Sequence, residues 1–405
     1  MPDTLKPDNA GQVENAVKWA LAEGKTLEVV GRGSKRAYGR PSQSDLTLDL
    51  SALSGVTLYE PEELVLSAGV GTPLAEIEAM VDAKGQQLAF EPMDCGPLLG
   101  APANSGTIGG AIAAGLAGPR RIKAGSARDH FLGFTAVSGR GEIFRSGGRV
   151  VKNVTGYDLC KLMAGSFGTL AALTDVTVKV LPKPETEETL VLAGLDDVRA
   201  VQAMTAAMAS SCDVSGAAHL PTHIVFRFGE LGASVAATLF RLEGVAPSVR
   251  HRRDALSALL KPYGMVSLLH EATSRALWRS VRDARPFTAS GASGPRPLWR
   301  VSVPPARGAE LAALIEPSAQ MFYDWAGGLI WVAPLPPDDG VAIGVRKAAA
   351  ALGGHATLVR APAPVRAAVD VFEPQPGPVA ALTKRVKESF DPNRVLNPGR
   401  MWAGV

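Results

Sequence analysis

Two sets of residues in this sequence have the types and spacing for chemistry: glycine-rich loops that carry cations, and a scatter of histidines and cysteines. The first loop is V-V-G-R-G-S-K-R-A-Y-G, residues 29–39, in which Gly31, Arg32, Gly33, Ser34 and Lys35 follow a short apolar run. Glycines let backbone N–H groups approach phosphate oxygens closely, and Arg32, Lys35 and Arg36 favour the negative charge. Neither common nucleotide fingerprint fits. A G-x-G-x-x-G motif needs glycine where Arg36 stands and a helix directly after it, whereas Ala37, Tyr38, Gly39 and Pro41 read as more loop. A Walker loop needs Gly-Lys-Ser/Thr at a helix start, an order this loop lacks. Taken alone, the loop is compatible with an anion cradle and equally with a bare structural turn.

A second glycine stretch, P-A-N-S-G-T-I-G-G-A-I-A-A-G-L-A-G-P-R-R, covers residues 102–121. Its small residues permit close backbone approach. The run from Thr107 through Ile108, Gly109 and Gly110 predicts a short helix whose first N–H groups are free for an anion. Tight helix packing through small faces is the alternative. A third stretch, residues 151–180, reads as loop, helix, glycine turn and a long alternating strand, and residues 134–144 as a hairpin turning on G-R-G. Three such loops describe a cleft lined by backbone donors, suited to a long pyrophosphate-bearing cofactor. Each N–H donated to a charged phosphate is worth about 1.5–3 kcal/mol.

The titratable residues point to no metal. Cys95, Cys160 and Cys212 lie too far apart for a cluster, a structural zinc or a redox pair, and read as buried filler. Of the six histidines only His219 and His223 are close, and Pro221 between them breaks a shared helical face. His130 follows Arg128 and Asp129 and reads as structural. No general base is identified. Redox chemistry would therefore need an organic carrier, with a partner to take the electrons onward. A net charge of +3 over 405 residues, with basic clusters only at 119–123 and 249–253, excludes a nucleic-acid footprint. No apolar run is long enough to span a bilayer and no leader is evident, so a cytoplasmic location is expected.

Length and a 46% hydrophobic content predict two or three domains with substantial cores. A helix is expected over 12–23, strands at 27–30, 46–50 and 63–69, and a helix over 73–82. V-L-P-K-P-E-T-E-E-T (180–189) reads as a linker. Beyond it come a strand at 189–195, helix 196–210, strand 223–228, helix 233–243, strand 298–303, a helix near 308–315, two strands around 321–333, helix 341–352 and strand 355–359. Residues 284–297 read as a loop. This alternation fits a ferredoxin-like antiparallel α+β cap.

The order of motifs resembles the FAD-binding domain of the vanillyl-alcohol oxidase/p-cresol methylhydroxylase (PCMH) type. The resemblance runs from G-R-G-S through S-G-T-I-G-G, A-G-S-A-R-D-H, K-N-V-T-G-Y-D-L and G-S-F-G-T-L to F-D-P-N-R-V-L-N-P-G at 390–399. It implies an α+β fold with a two-lobed PCMH-type FAD-binding domain over 1–183 (lobes of about 1–55 and 56–183). A cap follows over 184–365, and a segment 366–405 returns to the first domain. The resemblance assigns the pyrophosphate to Gly31, Arg32, Gly33, Ser34 and Lys35. It assigns the opposite wall to Thr107, Ile108, Gly109 and Gly110, the ribityl or flavin region to Arg128 and Asp129, the adenine side to the backbone around Leu173, and the isoalloxazine to Asn397. Within the family the motifs look most like bacterial glycolate oxidase, in particular its shorter FAD-binding subunit. That implies partners: a larger FAD-containing subunit for the oxidation of glycolate to glyoxylate, and an iron–sulfur subunit. It also allows a peripheral place at the inner membrane through the complex. Two departures stand out. The first loop holds no histidine, which implies non-covalent FAD. The G-H-x-G-D-G-N-x-H metal and substrate motif of the catalytic 2-hydroxy-acid dehydrogenases is missing, and Phe167 replaces their usual glutamate. A self-contained 2-hydroxy-acid dehydrogenase and a scaffold that has lost its flavin are the alternative readings.

Overall fold

The computed structural model of the chain describes residues 3–149, 156–288, 296–334 and 339–405. The start of the third glycine stretch (151–155) and the middle of the loop expected over 284–297 lie outside these residues. The chain divides into two compact units. The first contains Met1–Ala117, Gly125–Lys183 and Asp370–Val405; the second contains Gly118–Ala124 and Pro184–Val369. The short stretch Gly118–Ala124 thus belongs to the second unit, while the residues flanking it belong to the first.

In the first unit, Asn9 caps the helix Ala10–Ala22 by accepting from the Gln12 N–H. Val13, Val17 and Ala20, at helical spacing, form its buried stripe. Strands Thr4–Leu5, Leu46–Asp49 and Leu27–Val30 form a parallel sheet in that order. A second, antiparallel sheet runs Val56–Glu60, Val65–Gly69, Ala171–Lys179, Phe131–Ser138, Ile143–Gly147. Helices Leu74–Asp82 and Ile108–Ala114 add Ile77, Val81, Ile108 and Ile112 to the one apolar core that both sheets share.

The C-terminal segment closes this unit. Helix Gly377–Phe390 ends at Asp391, and residues 395–397 lie alongside Leu27, whose N–H donates to Val395 O (2.7 Å) and whose carbonyl accepts from the Asn397 N–H (2.9 Å). Lys387, only 1% exposed, fixes the return. Its ammonium donates to Thr169 O (2.6 Å), Asp391 Oδ2 (2.8 Å) and Leu396 O (2.9 Å). Asp391, fully buried, also accepts from the N–H groups of Val395 and Leu396. Burial pushes the Lys387 pKa below its ordinary value, and the Asp391 carboxylate opposes that shift.

The second unit is an eight-stranded antiparallel sheet in the order Val266–His270, Thr186–Ala193, Ala237–Gly244, Gly216–Leu220, Gln320–Asp324, Leu329–Ala333, Leu298–Ser302, His355–Arg360. Helices such as Asp197–Met208 and Ala246–Leu260 pack on it around Leu190, Met204, Phe240 and Leu256. The α+β class is as expected, but two element assignments are corrected. Residues 233–243, read as a helix, lie largely in the strand Ala237–Gly244, and 223–228, read as a strand, begin in the short helix Thr222–Val225. The physical reason lies in burial. Six consecutive residues of the strand, Ala237 through Leu242, are buried, so it lacks the polar–apolar alternation that marks a half-buried strand.

Candidate functional site

The first glycine loop follows directly from the strand Leu27–Val30 and lines a cleft within the first unit. Gly33 takes φ +74°, which only glycine adopts without strain, and this turns the chain. Three of the loop's carbonyls are engaged by protein. Gly33 O accepts from the Arg36 N–H (3.1 Å) and Lys35 O from the Tyr38 N–H (3.0 Å). The buried Arg400 guanidinium donates through Nη2 to Lys35 O (2.9 Å) and Arg36 O (3.0 Å). The N–H groups are not engaged: those of Arg32, Gly33, Ser34 and Lys35 donate to no acceptor among the described residues. Such consecutive unpaired donors need an anion or water. Arg36 is neutralised by Glu28 (3.0 Å) and donates to Thr47 Oγ1 (3.1 Å). Arg32 and Lys35 have no carboxylate in ion-pair reach among the described residues.

The opposite wall is the start of the helix Ile108–Ala114, and here an expectation is corrected. Its first N–H groups are not free: Ile108 donates to Thr72 O (3.0 Å), Gly109 to Val70 O (3.0 Å) and Gly110 to Thr107 Oγ1 (3.2 Å). The glycines serve close approach instead. A Cβ on Gly109 would stand 2.5 Å from Val70 Cβ and 2.9 Å from its carbonyl, and one on Gly31 would stand 2.8 Å from Thr107 Oγ1. Gly109, Gly110 and Thr107 line the cleft, while Ile108 is fully buried in the core behind it. Lys35 reaches across, its Nζ coming within 3.6 Å of where a Gly110 Cβ would sit.

Leu173 and Asn397 also line the cleft. Asn397, at φ +43°, spends its amide on the scaffold: Oδ1 accepts from the Val29 N–H and Nδ2 donates to Phe167 O, both at 2.8 Å. It clasps the C-terminal segment, the strand Leu27–Val30 and the glycine turn 166–168 together. That turn is tied to the helix by the Gly165 N–H to Ile112 O (3.0 Å) and the Phe167 N–H to Ala113 O (2.9 Å). Phe167 is itself left-handed (φ +53°), and its ring packs edge-on against Tyr38 (5.1 Å) and Phe372 (4.9 Å). Ser166, Phe167, Gly168 and Arg400 are lining residues that the sequence reading did not assign. Phe167 was visible there only as a departure from a glutamate, and Arg400 had no signal.

Arg128 and Asp129 stand outside this cleft, exposed in the short helix Ala127–His130. Asp129 completes a capping box, its Oδ2 accepting from the N–H and the hydroxyl of Ser126, both at 2.8 Å, and the Ser126 N–H holds its carboxyl below the usual range. His130 is buried beside Phe90. All three cysteines are buried thiols, and burial pushes Cys160 up to about 11. His219 and His223 do not share a helix: His219 bonds Thr238 Oγ1 (2.9 Å), and His223 Nε2 accepts from the Met321 N–H (3.0 Å). Among the described residues no group of three or more His, Cys, Asp or Glu side chains could hold a metal, and no helix is long and apolar enough to cross a membrane.

Free N–H donors, two uncompensated cations and side-chain-free approaches fit a pyrophosphate-bearing cofactor, and comparison with known proteins agrees. A family profile described as an FAD binding domain matches residues 4–147. Glycolate oxidase subunit GlcE of Escherichia coli (strain K12) is 33% identical, over 96% of this chain and 95% of that protein. Glycolate oxidase subunit GlcD of Bacillus subtilis (strain 168) is 25% identical over 100% of this chain and 89% of its own length. The solved structure of p-cresol methylhydroxylase with substrate bound superposes with a TM-score of 0.71 at 14% identity, covering 98% of this chain and 88% of that one, which establishes the shared fold. The chain therefore belongs to the PCMH-type FAD-binding family that includes the glycolate oxidase subunit GlcE, and its cofactor is FAD.

Proposed function

We propose that this protein is the FAD-binding subunit of a glycolate oxidase, working with a larger flavin subunit and an iron–sulfur subunit to oxidise glycolate to glyoxylate. The flavin is held without a covalent bond, with its pyrophosphate on residues 31–35. Hydride acceptance is the chemistry FAD supplies when bound. The chain's own residues bind and orient it: Arg32 and Lys35 offset the phosphate charge, Thr107, Gly109 and Gly110 shape the facing wall, and Leu173 and Asn397 complete the lining. The observation that carries this reading is the loop itself, in which the carbonyls of Gly33, Lys35 and Arg36 are bonded into the protein while the four successive N–H groups of Arg32 to Lys35 donate to no acceptor among the described residues. Near full-length similarity to GlcE supports the assignment to a glycolate oxidase complex.

Gly33→Val tests it. A β-branched residue resists φ +74°, so the loop must re-form and its donors turn away. Losing two or more charge-assisted bonds costs about 3 kcal/mol, over a hundredfold in affinity, enough to empty the site during purification. Arg32→Ala removes one cation and keeps the backbone, so it retains more flavin. Full flavin content in Gly33→Val would show that the loop is only a turn. Acid precipitation of wild type should leave the flavin in the supernatant; yellow colour kept by the precipitate would establish a covalent bond instead.

A further inference from the structure

The sheet of the second unit is built from two halves of four strands, and their junction differs from every other pairing in it. Read from its outer rim inward, each half runs fourth, first, third, second in chain order. One half is Val266–His270, Thr186–Ala193, Ala237–Gly244, Gly216–Leu220; the other is His355–Arg360, Leu298–Ser302, Leu329–Ala333, Gln320–Asp324. The two inner strands pair through one residue each, His219 with Tyr323, whereas the strand pairs on either side are registered over five residues. Side chains replace the missing ladder. The Met321 N–H donates to His223 Nε2 (3.0 Å), and the Tyr323 hydroxyl donates to Asp197 Oδ2 (2.7 Å).

A cavity of about 540 Å³ opens at this seam and takes its lining from both halves, including Asp197 and His219 from one and Ala309, Ala312 and Met321 from the other. That volume is in the range of small-molecule sites, which combine apolar walls with a few placed polar groups. The polar groups gather at its floor. His219 is fully buried, and its Nδ1 bonds Thr238 Oγ1 (2.9 Å). Its Nε2 stands 3.3 Å from Asp197 Oδ1, near enough for attraction but out of line for a hydrogen bond, and has no hydrogen-bond partner among the described residues. A buried polar atom left so beside a cavity marks a place built for an occupant. Burial acts to raise the Asp197 carboxyl, but His219 and the Tyr323 hydroxyl outweigh it and hold the group below its ordinary range, so it is ionised at neutral pH.

The lining decides the sign of the ligand. It contains two carboxylates, Asp196 and Asp197, and no lysine or arginine. Neither carboxylate has a lysine or arginine in ion-pair reach among the described residues. The start of the helix Asp197–Met208 favours an anion, but Asp196 caps it by accepting from the Arg199 N–H (2.8 Å), and two full charges outweigh the roughly half charge of a helix dipole. Such a cavity repels the carboxylate of a hydroxy acid and suits a cation with an apolar tail. We propose that the seam cavity is a binding site for a small alkylammonium ion, its nitrogen at Asp197 and its chain along the wall of Ala309 and Ala312. The ligand is a free molecule and not a lysine side chain of a partner subunit. An occupant touches both halves of the sheet where the backbone ladder is thinnest, so binding stiffens the second unit. No lining residue belongs to the first unit, and the site takes no part in holding FAD.

Calorimetric titration of the FAD-loaded full chain tests it, with three ligands of one shape and different charge: n-butylammonium, n-butanol and butyrate. Butylammonium should bind and raise the melting temperature, n-butanol should bind at least tenfold more weakly, and butyrate should not bind. Asp197→Asn keeps an acceptor for the Tyr323 hydroxyl and should weaken butylammonium at least tenfold. Ala312→Leu leaves every polar group in place, fills part of the cavity and should abolish binding with flavin content unchanged. Equal binding of the three ligands would overturn the proposal, as would absent binding of butylammonium to wild type. Undiminished binding in either variant would overturn it as well, since the ammonium would then sit elsewhere. Loss of subunit assembly in Asp197→Asn, with no amine binding to the wild-type chain, would overturn it in favour of a partner's lysine.

Discussion

Lys387→Met isolates what holds the C-terminal return in place. Methionine matches the length of lysine, so the substitution removes a charge and three hydrogen bonds without opening a large cavity. Asp391, fully buried, keeps its two backbone donors but loses its counter-ion, and Thr169 O and Leu396 O lose a donor. Breaking a buried ion pair from one side costs about 3–5 kcal/mol, most of it the stranded charge. For a cooperative unit of this size that lowers the melting temperature by roughly 6–20 °C. Thr169 follows the cleft turn 166–168 and Leu396 precedes Asn397, so flavin retention should fall as well. Scanning calorimetry with an absorbance measurement of bound FAD reads both effects. Removing the stranded charge as well, in Lys387→Met with Asp391→Asn, should recover part of the loss. A single variant within about 1 kcal/mol of wild type would refute the reasoning, because the pair would then be incidental to the fold.

Gly109→Val drives a side chain into Val70 at 2.5 Å and should both destabilise the first unit by about 1–3 kcal/mol and lower its flavin content; a fully loaded, equally stable variant would contradict the close-approach argument. Asp129→Ala should cost about 1 kcal/mol through its capping box and leave bound FAD unchanged, checked by thermal melting and flavin absorbance, and flavin loss would return Asp129 to the site. Although burial raises it, the Glu243 pKa is held below its ordinary value of 4.5 by Arg241 and Arg120. Its stabilisation is therefore present above pH 4.5 and lost as pH falls below that, so Glu243→Gln should melt earlier than wild type at pH 7, with the gap narrowing toward pH 3. A gap that is constant with pH would mean the carboxylate charge is irrelevant.

Much of the first unit was legible because its elements announce themselves locally. The periodic helix with Gly24 behind it, the strand ahead of the glycine loop and the Pro73 helix start all depend on neighbours in sequence. What was not legible depends on distant partners. The N–H groups of Ile108 and Gly109 look free in any local reading, and they are taken by Thr72 and Val70 through an approach that only the fold creates. Arg400 fixes the first loop from 365 residues away, with no motif to mark it. Asp129 was assigned through its place in a recurring motif, and one of its carboxylate oxygens, Oδ2, accepts both bonds from Ser126 three residues earlier. In the second unit the misread strand Ala237–Gly244 is central and buried on both faces, so it lacks the alternation on which strand recognition rests.

The clasp at Asn397 has a consequence for synthesis. A chain emerging from the ribosome displays the glycine loop, the facing helix and the 166–168 turn long before residue 397 exists, and the strand Leu27–Val30 meanwhile lacks the donor and acceptor that Asn397 and Val395 later supply. The second unit, by contrast, has its whole sequence available once residue 369 is out. The cleft lining is therefore complete only once Asn397 and Arg400 have been made, and the bonds that tie the glycine loop and the 166–168 turn to the C-terminal segment are among the last this chain can form.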